Sequence, residues 1–177
     1  MDGVNQNTMT KKWAKRVIPL LIVIAIICIF LLKKESNKID NSENMLPLEI
    51  NEIDLAELKL EGLPIVIDFG SDSCIPCKQM APVLQKLHSE WNGKAIVHFI
   101  DVWKNASASD GFPMTVIPTQ FFFNSDGTPY KPSEDISNEI ELSLYSTKDT
   151  GEHVFTAHQG SITEEEMKKI FMEMGVE

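Results

Sequence analysis

The sequence predicts an α/β domain, a mixed central sheet with helices on both faces, behind a hydrophobic N-terminal segment. Three observations carry that prediction. Short apolar runs at residues 65–69 (IVIDF), 95–102 (AIVHFIDV) and 119–123 (TQFFF) read as buried strands. Between the first two, Met80, Val83, Leu84, Leu87 and Trp91 follow helical spacing. Near the end, Thr163-Glu164-Glu165-Glu166 matches a capping box ahead of an amphipathic helix.

Each element has its own signal. Leu55, Leu58 and Leu60 predict a short helix over 54–60, ended by Gly62 and Pro64. Residues 65–69 form the first strand, and 70–73 turn the chain. The long helix starts at Cys74, is expected to kink at Pro82, and ends at Asn92-Gly93. After the second strand, 103–114 is a polar crossover with room for a short helix. The third strand closes on the strong turn signal Asn124-Ser125-Asp126-Gly127. Residues 154–159 predict a fourth strand. The segment from Pro129 to Glu152 is an insertion before that last strand, longer than a hairpin needs. Alternation at 140–144 points to an extra strand or flap inside it. Ile162 and Met167 are placed for a hydrophobic staple, and Met167, Ile170, Phe171 and Met174 share an apolar face that Gly175 can cap. A parallel βαβ unit, a hairpin and a terminal helix follow from this order.

Charge is unevenly distributed. Seven of the 16 basic residues lie in the first 38 positions, whereas the chain from Asn41 onward holds 9 Lys, no Arg and 23 Asp or Glu, a net charge of −14. So acidic a domain argues against nucleic acid as a partner. Residues 17–32 (VIPLLIVIAIICIFLL) carry no charge and lie between Lys15-Arg16 and Lys33-Lys34. Sixteen helical residues reach about 24 Å, short of a ~30 Å hydrocarbon core, and Trp13 with snorkelling basic side chains covers the difference. The small residues of a cleavage site are missing after Leu32, and Ile27 before Cys28 does not suit a lipoprotein. The segment therefore predicts an uncleaved signal anchor, with Cys28 as an apolar packing residue. The flanking charges lean to a cytoplasmic N-terminus and an extracytoplasmic domain at the cell membrane. The predicted organisation is a cytoplasmic tail and single transmembrane helix over 1–33, a polar linker over 34–47 and a folded domain over 48–177.

The chemistry centres on Cys74-Ile75-Pro76-Cys77 at the start of the long helix. Two thiols two residues apart at a helix N-terminus can close into a reactive disulfide, and the helix dipole favours the thiolate that does the exchange. Half of a zinc site is the alternative for such a pair, but the chain has no second cysteine pair to complete it. His88, His98, His153 and His158 share no ligand spacing and read as structural, and no metal site is expected. Asp68 is an acid in an apolar strand. Burial would raise its pKa and let it exchange a proton with Cys77, unless it occupies an exposed edge.

These residues resemble the thioredoxin family. Val66-Ile67-Asp68-Phe69, Cys74-Ile75-Pro76-Cys77-Lys78 and Met80-Ala81-Pro82 are similar to its active-site stretch. Ile117-Pro118-Thr119 resembles its cis-proline loop, and Phe121-Phe122-Phe123 with Asp126-Gly127 the strand and turn that follow. The resemblance covers roughly residues 49–175 and implies a thioredoxin fold. It implies that Cys74 is the exposed attacking thiol, Cys77 the more buried resolving thiol and Asp68 the buried acid, with no cofactor beyond the Cys74–Cys77 disulfide. It also implies that Ile75, Pro76, Ile117 and Pro118 meet the substrate, Pro118 through a cis peptide. Ser73 and Gly70 stand where the family commonly has Trp, and Val97 where a lysine often pairs with the buried acid. Trp103 could cover the site or pack elsewhere.

The function so implied is that of a membrane-anchored thiol–disulfide oxidoreductase. It would reduce disulfides of exported proteins, in cytochrome c maturation among other uses, with a membrane thiol carrier as electron donor. Two other readings stay open, a thiol oxidant that introduces disulfides and a copper or zinc carrier using the two thiolates.

Overall fold

The computed structural model describes residues 45–177. The predicted anchor, Cys28 and the linker before Met45 lie outside the described residues. Among the described residues, no helix is long and apolar enough to cross a membrane.

Asp54 caps α1 (Leu55–Leu58), its side chain accepting from the Ala56 and Glu57 backbone N–H groups at 2.8 and 3.0 Å. A 3₁₀ turn, Lys59–Glu61, completes the predicted short helix. Then come β1 (Ile65–Gly70), α2 (Ile75–Glu90) and β2 (Ile96–Asp101). A 3₁₀ turn at Ala106–Ser109 supplies the helix of the crossover. The remainder is β3 (Thr119–Phe123), α3 (Glu134–Glu139), β4 (Ser143–Ser146), β5 (His153–Gln159) and α4 (Glu164–Glu173). α2 passes through Pro82 as a single helix, so the expected kink does not divide it.

The sheet order is β2-β1-β3-β5-β4. β1 and β2 are parallel and all other pairs antiparallel. The mixed sheet matches the prediction. The 124–127 turn brings Pro129 and Tyr130 back beside Phe123 and Phe122. The chain then leaves the sheet for α3 and returns as β4, which pairs with β5. The insertion therefore adds a helix and an edge strand; β4 overlaps the alternating stretch that predicted it, starting three residues later and ending two residues later. Its helix has no clear signal in the sequence because Glu134–Glu139 is short and mostly polar, with only Ile136 buried.

The alternation of each strand divides the core in two. Val66, Val97 and Phe122 pack with Leu84 and Leu87 of α2, with its C-cap Trp91, and with Met167, Ile170 and Phe171 of α4. Ile65, Ile67, Phe69, Ile100 and Phe121 face the other way, toward Leu55 and Leu58 of α1 and Phe112 of the crossover. The capping box at Thr163 and Glu166 is formed, which fixes where α4 starts over the first of these layers.

Candidate active site

Cys74 is the N-cap of α2, with extended backbone angles and its Sγ 3.3 Å from the Cys77 backbone N–H. The two cysteines are joined in a disulfide with Cα atoms 5.3 Å apart. Pro76 lies in the first turn, where its missing N–H has no helical partner to lose. The loop before the helix is held by Asp101 at the end of β2. Its carboxylate accepts from the Asp72 N–H at 2.9 Å and from the Trp103 and Lys104 N–H groups at 2.9 and 3.1 Å. Burial pushes the Asp101 carboxyl up, but these backbone donors outweigh it and keep it below the usual carboxylate range.

Opposite the disulfide lies the loop before β3. The Ile117–Pro118 peptide is cis, as the resemblance implies. The Ile117 carbonyl oxygen is 4.0 Å from Cys74 Sγ. The loop is fixed at both ends: Thr119 Oγ1 donates to the Val116 carbonyl at 2.7 Å, and the Gly160 N–H donates to the Pro118 carbonyl at 2.8 Å. Thr115 Oγ1 donates to Gln159 Oε1, and Gln159 Nε2 to Tyr145 Oη on β4, at 2.9 Å each. The insertion thus braces the loop that carries Pro118.

Cys74 is not the exposed thiol that the resemblance implies. It is 8 % exposed and Cys77 5 %, so the oxidised pair is almost equally covered. The disulfide and the Ile117 loop screen Cys74 in this state. The accessible apolar surface around it comes instead from Ile75 and Val116, 72 % and 49 % exposed. Trp103 is 64 % exposed and is not a core residue. An open cleft of about 340 Å³ reaches Cys77 from the other side, between Ser71, Asp72, Lys78, Leu84 and Phe99.

Asp68 is buried, 1 % exposed, which removes the edge-position alternative. Gln120 Nε2 donates to its Oδ1 at 2.7 Å, while the buried Oδ2 has no hydrogen-bond partner. A Cβ placed on Gly70 would lie 3.4 Å from that Oδ2 and 3.3 Å from Cys77 Sγ. The free oxygen and the Cys77 sulfur therefore border the same small space. Burial pushes the Asp68 carboxyl up to about 7, with the Gln120 bond pulling against it. Val97 is buried in the apolar layer and offers Asp68 no charge. Gln120 takes the place of a charged partner, and sequence reasoning missed it. Its signal is an amide just ahead of the apolar run Phe121-Phe122-Phe123.

Three of the four histidines are structural, as expected. His88 and His98 bond the Leu46 and Pro47 carbonyl oxygens, and His153 bonds Thr156 and the Phe155 carbonyl. His158 differs, because its Nδ1 meets Gln120 Oε1 at 3.0 Å. Among the described residues, no group of three or more His, Cys, Asp or Glu side chains is placed to hold a metal ion.

Comparison with known proteins agrees with this geometry. The thioredoxin family model matches residues 53–145, just over half of the chain. This chain belongs to the thioredoxin family. It is similar to the thioredoxin of Staphylococcus saprophyticus, with 36 % identity over 85 residues, 45 % of this chain and 81 % of that one. The thioredoxin of Staphylococcus aureus is 33 % identical over 92 residues, 49 % of this chain and 88 % of its own length. In fold it resembles a mutant thioredoxin from Halobacterium salinarum, with a TM-score of 0.50 at 22 % identity, covering 74 % of this chain and 91 % of that one. The fold is thus a thioredoxin fold, and the chain is a thioredoxin-like thiol–disulfide oxidoreductase with a disulfide-forming Cys74–Cys77 pair.

Proposed function

We propose that this thioredoxin-like protein is anchored in the cell membrane by residues 17–32 and reduces disulfides of exported proteins outside the cytoplasm. The observation that carries the redox part is the Cys74–Cys77 disulfide at the start of α2, facing the cis Ile117–Pro118 loop with Asp68 behind it. In the reduced protein the Cys74 thiolate attacks one sulfur of a substrate disulfide, favoured by the helix N-terminus. The substrate's other sulfur leaves as a thiolate and takes up a proton. Cys77, deprotonated by Asp68, then attacks Cys74 Sγ and releases the second substrate thiolate. Two electrons have passed to the substrate, and Cys74–Cys77 is again a disulfide. Ile75, Pro76, Ile117 and Pro118 form the surface that receives an extended substrate segment.

A membrane thiol carrier would return the electrons, and apocytochrome c cysteines are one natural client. The uncharged 17–32 segment and its basic flanks support the anchor. Ser73, small where the family commonly has Trp, leaves a more open rim and points to clients other than those of an ordinary thioredoxin. Trapping tests this reading. Cys77→Ala in the full chain should accumulate mixed disulfides through Cys74 with exported proteins, and capture of cytosolic proteins alone would overturn it.

A further inference from the structure

Asp68 is the end of a polar line that crosses the sheet. Its Oδ1 accepts from Gln120 Nε2 at 2.7 Å on β3, and Gln120 Oε1 meets His158 Nδ1 at 3.0 Å on β5. Gln120 is fully buried and His158 is partly exposed. Here the amide NH₂ faces Asp68 and Oε1 faces His158, an arrangement that needs the His158 proton on Nδ1. That NH₂ also lies 3.6 Å from Met80 Sδ. With Oδ1 taken, only Oδ2 remains to serve Cys77, across the space beside Gly70.

We propose that Gln120 and His158 are positioning residues for proton transfer between Asp68 and Cys77. Gln120 turns Oδ2 toward the resolving sulfur and favours the ionised carboxylate. His158 holds the Gln120 amide in the orientation that does so. A free amide could rotate and present Oε1 to Asp68, which suits the protonated acid and withholds the base. This inference rests on the reading that Asp68 takes the proton of Cys77, and it extends that role to two residues outside the cysteine motif.

The surroundings leave few competing charges. Toward Asp68, β2 presents Val97 and Phe99, β3 presents Gln120 and Phe122, and α2 presents Cys77 and Met80. Cys77 is the one titratable group among these. His158 feels Glu166 from α4 and Glu141 from the insertion, and its ring pKa is lowered, chiefly by burial. The ring also meets the Gly160 backbone, and it holds the Gln120 amide in this orientation when its proton is on Nδ1.

The test uses the full chain in detergent, reduced and then mixed with the aryl disulfide 5,5′-dithiobis(2-nitrobenzoate). Attack by Cys74 breaks the reagent's S–S bond and releases one coloured thiolate. Attack by Cys77 on the mixed disulfide releases the second, so the second phase reads the resolving step. The rate of this phase is followed against pH. Gln120→Leu removes a hydrogen bond to a charged acceptor, so the inflection set by Asp68 should move up by about one to two pH units. Well below the inflection, the second phase should slow by about ten- to a hundredfold while the first is unchanged. His158→Leu should move the inflection the same way by about half a unit, and His158→Asn, whose amide can replace the Nδ1 donor, should return it to the native position. An unchanged inflection in folded Gln120→Leu overturns the proposal. Identical inflections in His158→Leu and His158→Asn do so too, and this pair decides the matter if Gln120→Leu does not fold. Asp68→Asn separates the role of Asp68 from that of its partners: if it leaves the second phase untouched, the role of Asp68 itself fails.

Discussion

Replacing Asp68 with Asn should stabilise the oxidised protein, and only above a defined pH. Folding moves the Asp68 carboxyl from its ordinary value of 3.8 to about 7, because burial penalises the charged form. The folded state therefore binds this proton more tightly than the unfolded state. Below pH ~4 both states hold it, and the acid costs nothing as a charge. As pH rises from about 4 to about 7, unfolding releases the proton and the native state loses stability. Above about 7 the loss is complete. A shift of about three units corresponds to about 4 kcal/mol. Asn keeps an oxygen for Gln120 Nε2 but carries no titrating group. The Asn variant should therefore match the native protein at pH 4 and exceed it by up to about 4 kcal/mol at pH 8. With a urea slope of about 2 kcal/mol per molar, the midpoint at pH 8 should rise by about 2 M. Urea titrations of the two oxidised proteins at both pH values measure this. The same midpoint difference at pH 4 and pH 8, or a less stable Asn variant at pH 8, would refute the claim that Asp68 is a destabilised buried acid.

Other outcomes follow from the same geometry. Gly70→Ala would set a Cβ 2.8 Å from Phe99 Cε2 and 3.3 Å from Cys77 Sγ, so thermal unfolding should reveal a loss of about 1–3 kcal/mol from overpacking. An unchanged melting temperature would mean that the half-buried Phe99 ring moves aside freely. Cys74→Ser should abolish reduction of insulin disulfides, whereas Cys77→Ala should still form the mixed disulfide and stall there, as non-reducing electrophoresis would display. Thr163→Ala removes the cap that accepts from the Glu166 N–H, and chemical denaturation should register a loss of about 1 kcal/mol with no change in redox behaviour.

The parts of the molecule that are legible in the sequence are those whose signals are local. β3 occupies the very residues of its apolar run, and the capping box of α4 forms where Thr163 and Glu166 stand three apart. The cysteine pair lies at the strand–helix junction because an apolar run and a 3.6-residue period meet there. What escapes a sequence reading depends on contacts between distant segments. Gln120 is an ordinary polar residue until the sheet places it between Asp68 and His158, which are 52 and 38 positions away. The cover over Cys74 comes from a loop 43 positions later. Local alternation marks β4 only as a strand or flap. A four-residue edge strand draws its definition from the ladder it makes with β5, not from its own composition.

The reduction potential of the Cys74–Cys77 pair fixes the direction of electron flow. The full chain is equilibrated in dithiol/disulfide buffers of graded potential, and the fraction of Cys74–Cys77 in the disulfide form is counted by thiol alkylation. A reductase predicts a midpoint near that of thioredoxin, about −270 mV, so that the reduced pair can pass its electrons to exported proteins. A midpoint near about −120 mV would contradict the account and make this protein a donor of disulfides.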